Sequence, residues 1–327
     1  VSSRDLKAPF PWFGGKSRVA DVVWRAFGAS VPNYVEPFCG SAAVLLRRPG
    51  GPGKIETIND LDCDVANFWR ATSRDPEAVA RACDWPVNEA DLHAMGNKML
   101  AGLEEHRARM HGDPEYFDSE RAGWWCWGQC TAIGGNWMTA SGSKALPRLC
   151  GWVTGNGVHA SLPALGHSGR GIHSPERSEL VEWFDALRSR LRRVRVACGD
   201  WSRVLSGAVT GSSNSLKNMG MSPCAVFLDP EYGSDHKASY AEGSQTVHAE
   251  ARDWAAEHGN DPHFRIALCG YEGEHELPDG WTCHAWKATG GHGNRNASNK
   301  NPHRERIWFS PHCLPIHEQR SLFEVQP

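Results

Sequence analysis

The sequence has no apolar run approaching the roughly 20 residues that cross a bilayer, and its first residues carry no signal-peptide core. The expectation is a soluble, intracellular protein with no membrane partner. Its eleven cysteines include no C-x-x-C pair. An odd, scattered set, partly in apolar runs (Cys39, Cys198, Cys269), argues for reduced thiols rather than a disulfide framework or a zinc ribbon. Cys126 and Cys130 are the best-placed metal candidates and poor ones, so no metal is expected. Internal repeats are lacking, which sets aside solenoid architectures. Net charge is small as well, at −3 from 35 Lys/Arg against 38 Asp/Glu. Basic residues are instead local: 143–195 hold nine Lys/Arg against four Asp/Glu, and 287–306 hold five against one. Such patches suffice to neutralise several phosphates.

What is present includes 327 residues at 40% apolar content, enough for one sizeable core and a smaller appended unit. The most informative stretch is Ala225-Val226-Phe227-Leu228-Asp229-Pro230-Glu231-Tyr232. Its apolar run reads as a buried central strand that stops at an acid, and the carboxyl edge of such a strand is where open α/β sheets place ligands. Asp229 and the Pro230 carbonyl offer two acceptors beside the Tyr232 ring, a set suited to a planar heterocycle with an exocyclic amine.

Upstream, Trp12-Phe13-Gly14-Gly15-Lys16 joins an aromatic and a glycine turn to a lysine ahead of helical spacing. Tyr34-Val35-Glu36-Pro37-Phe38-Cys39-Gly40-Ser41-Ala42-Ala43-Val44 reads as strand, small-residue turn and helix start, a place for a nucleoside-like cofactor. Ile55 to Asp62 reads as a second strand ending in acids, with Asp60 placed to accept from ribose hydroxyls and Asp62 or Asp64 able to cap the next helix.

Between 73 and 177 the periodicity degrades. The spacing predicts helices over Glu77–Cys83 and Glu89–Arg109, then a tryptophan cluster (Trp124, Trp125, Trp127, Trp137) expected to pack rather than stack on bases, then a Gly/Ser/His-rich stretch. Lys144, Arg148, Arg170 and Arg177 are candidates for DNA phosphate and base contacts. Regular α/β character resumes with a helix over Ser178–Leu191 and a strand over Val194–Cys198. Asp200-Trp201 follow as a possible adenine grip, or with Asp200 as a plain helix cap. A helix over Val247–His258, a strand over Phe264–Cys269 and a hairpin of Trp281–Trp286 with Arg306–Phe309 complete the reading.

Asp229-Pro230-Glu231-Tyr232 resembles the Asp-Pro-Pro-Tyr signature of S-adenosylmethionine-dependent DNA adenine-N6 methyltransferases, with Glu231 in place of the second proline. The same tetrapeptide recurs at Asp113-Pro114-Glu115-Tyr116, there in a polar context expected at the surface. The lysine element and the loop Glu36 to Ala42 are similar to the family's N-terminal and cofactor elements, with Ala42 where a second glycine is usual. In order, these elements resemble the Dam-type, D12-class, alpha-arranged enzymes of phage or prophage. The resemblance implies a Rossmann-like seven-stranded mixed sheet formed by 1–72 and 178–327, with a recognition domain inserted at 73–177. It also implies S-adenosylmethionine as cofactor, bound by Trp12, Gly14, Gly15, Lys16, Glu36, Pro37, Phe38, Cys39, Gly40, Ser41, Asp60, Asp200 and Trp201. Asp229, Pro230, Glu231 and Tyr232 would be catalytic, double-stranded DNA the partner, a monomer the working state and the cytoplasm of a bacterial host the location. Because of Glu231, a weak or silent DNA-binding relative and a cytosine-N4 enzyme stand as alternatives.

Overall fold

In the computed structural model the residues described are 6–12, 15–132, 138, 177–213, 217–232, 246–286 and 304–316. Among them, seven strands make one sheet: β1 (Asn33–Glu36), β2 (Ile55–Asp60), β3 (Val194–Cys198), β4 (Cys224–Leu228), β5 (Phe264–Tyr271), β6 (Thr282–Ala285) and β7 (Glu305–Phe309). Their order is β3-β2-β1-β4-β5-β7-β6. The first five run parallel, and β7 and β6 close the far edge antiparallel. This is the mixed α/β sheet with a terminal hairpin that the sequence led us to expect. The chain builds outward from β1 in one direction and from β4 in the other, so the strand order reverses between these two neighbours. The crevice beyond their carboxyl ends is where such sheets take ligands.

All five residues of β4 are buried, because helices cover both faces and no polar alternation is needed. The helices are α1 (Ala20–Phe27), α2 (Ala43–Leu46), α3 (Cys63–Arg74), α4 (Pro76–Cys83), α5 (Glu89–Ala101), α6 (Leu103–Gly112), α7 (Ser119–Thr131), α8 (Arg177–Leu191), α9 (Gly207–Thr210) and α10 (Val247–His258). Side-chain oxygens of Asp62, Asp75, Asn88 and Asp118 accept from the first turns of α3, α4, α5 and α7.

Two expectations are corrected. The single helix over Glu89–Arg109 is two helices, because Gly102 leaves helical dihedrals (φ −93°, ψ 6°) and α6 restarts after it. The second tetrapeptide is not wholly a surface segment: Asp113, Pro114 and Glu115 are exposed, but Tyr116 is buried with its hydroxyl 3.0 Å from His106 Nδ1. The ring also lies under the Arg109 guanidinium.

The helices of 76–131 share one core with the sheet. Trp125 and Trp127 of α7 are fully buried, in keeping with the packing role expected of the tryptophans, while Trp137 lies outside the described residues. α7 crosses α4 so closely that a Cβ at Gly123 would stand 2.3 Å from the Ala82 methyl. On the other side, Arg190 of α8 donates to Glu56 of β2 at 2.6 and 3.0 Å, and Arg48 donates to the same carboxylate at 3.1 Å. This buried trio fixes α8 on the sheet, since losing Glu56 would leave two buried guanidiniums without their shared carboxylate. Arg190 therefore belongs to the core and not to the basic patch that its position in 143–195 suggested.

Candidate active site

The turn before α1 begins at Trp12, whose carbonyl accepts from the Gly15 amide at 3.0 Å. It delivers Lys16 into the crevice beyond β4. Lys16 Nζ lies 2.8 Å from Asp229 Oδ1, and its side chain is 3% exposed. Burial pulls the ammonium's pKa down, but the charge and hydrogen bond of Asp229, with Glu305 nearby, outweigh it, so the net shift is upward and Lys16 stays charged. The Tyr232 hydroxyl meets both Asp229 Oδ1 at 3.2 Å and Glu305 Oε2 at 3.0 Å. Its ring packs edge-on against Tyr271 and faces the Lys16 ammonium, which also stands over Trp286. Burial pushes the Tyr232 hydroxyl well up. Burial likewise raises Glu305, opposed by Lys16 and reinforced by Asp229. Pro230 is buried and Glu231 half-buried beside them.

Across the crevice, the loop after β1 is held by many backbone contacts. Asn59 Nδ2 donates to the Pro37 and Gly199 carbonyls at 3.0 and 2.9 Å, the Cys39 amide donates to Asn59 O at 2.9 Å, and Trp69 Nε1 donates to Gly40 O at 3.1 Å. Gly40 has φ +43°, and a Cβ there would stand 2.3 Å from Trp12 Nε1. That position has room for glycine only. Ala42, where the family's second glycine was expected, adopts the left-handed region at φ 49° and ψ 35°. Its methyl therefore adds strain as well as bulk, about 1–2 kcal/mol.

Glu36, at the end of β1, is 2% exposed. It accepts from the Tyr34 hydroxyl at 2.8 Å and from the Leu45 amide. Burial, only partly offset by those donors, pushes its carboxyl up to about 8. Asp60, at the end of β2, accepts from the Gly40 amide at 2.9 Å and the Asp62 amide at 3.0 Å. Burial raises it to about 6 against those same bonds. It thus braces the loop after β1. Asp200 is exposed and caps the short helical turn Trp201–Leu205 through the Ser202 amide. Trp201 is buried and stacks on Phe38 at 5.7 Å.

A narrow cleft lies between these two banks. It is lined by Trp12, Gly15, Lys16, Glu36, Phe38, Cys39, Ser41 and Asp229, together with Ala43, Val44 and Phe227. The structure so brings most of the sequence-derived residues to one crevice. Asp60, Asp200 and Trp201 flank it through the β2 and β3 ends. Gly14, Lys144, Arg148 and Arg170 lie outside the described residues, as does the side chain of Arg177, the first residue of α8.

Sequence reading missed Glu305, Tyr271, Cys269 and Trp286. The signal for Glu305 was an acid opening the apolar Ile307-Trp308-Phe309 strand, a pattern that suits a carboxylate carried to a sheet edge. Burial holds Cys269 well up as a thiol beside Asp229.

Residues 12–93 match the family model of the D12 class N6 adenine-specific DNA methyltransferases. The match spans the lysine element, the loop after β1 and Asp60, whereas Asp229, Tyr232 and Glu305 lie outside it. It supports DNA adenine-N6 methylation as the activity, and the α/β sheet is consistent with a methyltransferase fold. No curated protein matches the chain. Among the described residues no helix is long and apolar enough to cross a membrane.

Proposed function

We propose that the chain transfers a methyl group from S-adenosylmethionine to the exocyclic amine of an adenine flipped out of double-stranded DNA. The observation that carries this is the meeting of Asp229 with Lys16 at the reversal point of the sheet, opposite the Gly40 turn. The cleft suits that cofactor on its own chemistry. Glu36 is a buried carboxyl in the cleft lining that accepts from the Tyr34 hydroxyl, a group able to take the cofactor's ammonium. Phe38 and Trp201 present an aromatic shelf for a purine, and Asp60 retains lone pairs for ribose hydroxyls.

When bound, S-adenosylmethionine supplies a methyl carbon already activated by a sulfonium. Asp229 and the Pro230 carbonyl accept the two hydrogens of the adenine amine, which pulls its lone pair out of ring conjugation and aims it at that carbon. Lys16 and Tyr232 both meet Oδ1, so Oδ2 is the oxygen we assign to the amine. As the N–C bond forms, the surplus amine proton passes to Asp229 and on to solvent. The ion pair with Lys16 fixes the carboxylate before that step. Glu305 holds the Tyr232 hydroxyl, leaving the ring edge to confine the flipped base.

Recognition of the target falls to 73–177 in this reading, with Lys144, Arg148, Arg170 and Arg177 on DNA and a monomer as the working form. The test is to incubate protein, cofactor and duplex DNA, digest, and identify the modified nucleoside by mass. N6-methyladenine supports the proposal. N4-methylcytosine, or no modified base, overturns it.

A further inference from the structure

Away from the crevice, three side chains from three elements converge. Cys63 is the first residue of α3, His111 lies in the last turn of α6, and Cys198 is the last residue of β3. Cys63 Sγ stands 3.6 Å from His111 Nε2 and 3.5 Å from Cys198 Sγ. All three donor atoms lie within 4.8 Å of one another.

The two separations from Cys63 match edges of a coordination tetrahedron. With Zn–S near 2.3 Å and Zn–N near 2.0–2.1 Å, tetrahedral angles place two thiolate sulfurs about 3.8 Å apart and a sulfur and an imidazole nitrogen about 3.6 Å apart. A disulfide would need the sulfurs at about 2.05 Å and would give the imidazole no part. Two thiolates and an imidazole are the soft and borderline donors that select zinc over magnesium or calcium. Cys63 also sits at a helix N-terminus, where the dipole favours a thiolate. Burial falls from Cys63 through Cys198 to the exposed His111, so the group opens to solvent on its imidazole side. A fourth position is then available to water.

We infer that Cys63, Cys198 and His111 form a zinc site. Its placement indicates a bracing role. Cys198 pairs in register with Asp60, and Cys63 begins the helix that follows it. A metal there ties the carboxyl ends of β2 and β3 to α3 and α6, and so fixes the turn that carries Asp60. The site takes no part in methyl transfer and stands independently of the function proposed above. The sequence offered Cys126 and Cys130 instead, but those thiols are buried and both point at the Pro9 carbonyl. The residues that converge are far apart in sequence, which is why spacing could not show them.

The test uses the full chain, reduced and stripped with a chelator, then titrated with Co²⁺ and followed by absorption. Wild-type protein should bind one Co²⁺ per chain, with the visible bands of a tetrahedral ion and a near-ultraviolet thiolate-to-cobalt band. Zn²⁺ should displace it and raise the melting temperature. Cys63→Ser and Cys198→Ser should each weaken binding by at least about 100-fold, the upper end of what losing a merely supporting group costs. Cys283→Ser, an exposed thiol elsewhere, should leave the spectrum unchanged. His111→Ala is a surface change that keeps the fold, and it should keep the thiolate band while weakening affinity about tenfold or more. Three results would overturn the assignment: no thiolate-to-cobalt band in the reduced wild type, an undiminished band in the two serine variants, or a Cys63–Cys198 disulfide found by mass in a protein that holds no metal when reduced.

Discussion

Lys16 and Asp229 form a buried ion pair 2.8 Å apart, and each comes from a different side of the sheet's reversal point. The lysine arrives on the turn before α1 and the acid at the end of β4, so the contact exists only when the N-terminal element has docked on the folded sheet. A buried pair adds little net stability, but breaking it from one side leaves a charge without compensation.

That pairing decides how Asp229 should be tested. Asp229→Ala removes the acceptor and with it the ion-pair partner of the buried Lys16, at a cost of up to about 3–5 kcal/mol in stability. Asp229→Asn keeps the shape and a hydrogen-bond partner for Lys16 while weakening the acceptor for the amine. We expect the Asn variant to melt closer to wild type than the Ala variant and to lose about 100-fold or more in kcat, with cofactor affinity unchanged. Turnover above a tenth of wild type would remove Asp229 from the chemistry.

The Gly40 and Ala42 pair separates conformational need from family habit. Gly40→Ala must push a methyl into the Trp12 indole at a positive φ, so it should destabilise the protein by about 1–3 kcal/mol and weaken cofactor binding with it. Ala42→Gly relieves a left-handed alanine, a gain offset by the extra freedom of glycine in the unfolded chain. The net should lie between zero and about 1 kcal/mol of stabilisation. Thermal melts and calorimetric titration of both variants check this, and a destabilised Ala42→Gly would contradict the strain.

Glu36 should make stability fall as pH rises. Its carboxyl is raised to about 8 in the fold, above an unfolded value near 4.5, so between those limits the folded state holds a proton that the unfolded state has lost. The contribution is neutral below about pH 4.5 and becomes increasingly unfavourable up to about pH 8, with a slope of at most about 1.4 kcal/mol per pH unit. Glu36→Gln should flatten this slope and melt higher than wild type at pH 8 in the absence of cofactor. Denaturant titrations at pH 5, 6.5 and 8 give the answer, and parallel curves for the two proteins would show that Glu36 is ionised in the fold.

Much of the sheet was legible because its signals are local. The β4 run is apolar throughout, which only a strand covered on both faces requires, and the loop after β1 carries its small residues in sequence. The acids Asp60 and Asp229 were legible for the same reason, Asp229 ending an apolar run and Asp60 closing the strand that follows the glycine turn. Glu305, Tyr271, Cys269 and Trp286 were not, because β5, β7 and the end of β6 bring them to Asp229, Tyr232 and Lys16 only once the sheet is assembled. Lys16 was placed near the pocket, yet its partner could not be read from a glycine turn. Asp200 shows the opposite limit: its capping of Trp201–Leu205 was one of two readings of the same residues, and only the Ser202 hydrogen bond picks it out.

Glu305 is the residue whose role the sequence did not suggest, and its geometry makes a graded prediction. Its Oε2 accepts from the Tyr232 hydroxyl at 3.0 Å, while the same hydroxyl lies 3.2 Å from Asp229 Oδ1. With Glu305 in place, the phenol is held between two acceptors and Asp229 need not be its main partner. Glu305→Ala leaves Asp229 as the remaining acceptor of the two, so the tyrosine should turn onto the carboxylate and compete there with the amine. Losing one hydrogen bond of this kind costs about 1–3 kcal/mol, and a tenfold fall in kcat corresponds to about 1.4 kcal/mol of barrier. We expect Glu305→Ala to lose about tenfold or more in kcat with little change in cofactor affinity. Glu305→Gln keeps a carbonyl acceptor for Tyr232 and removes only the charge near Lys16, so it should recover most of the loss. Single-turnover rates for the two variants distinguish positioning from charge: if Glu305→Gln is as slow as Glu305→Ala, the negative charge beside Lys16 matters more than the hold on Tyr232, and if both match wild type the contact has no part in catalysis.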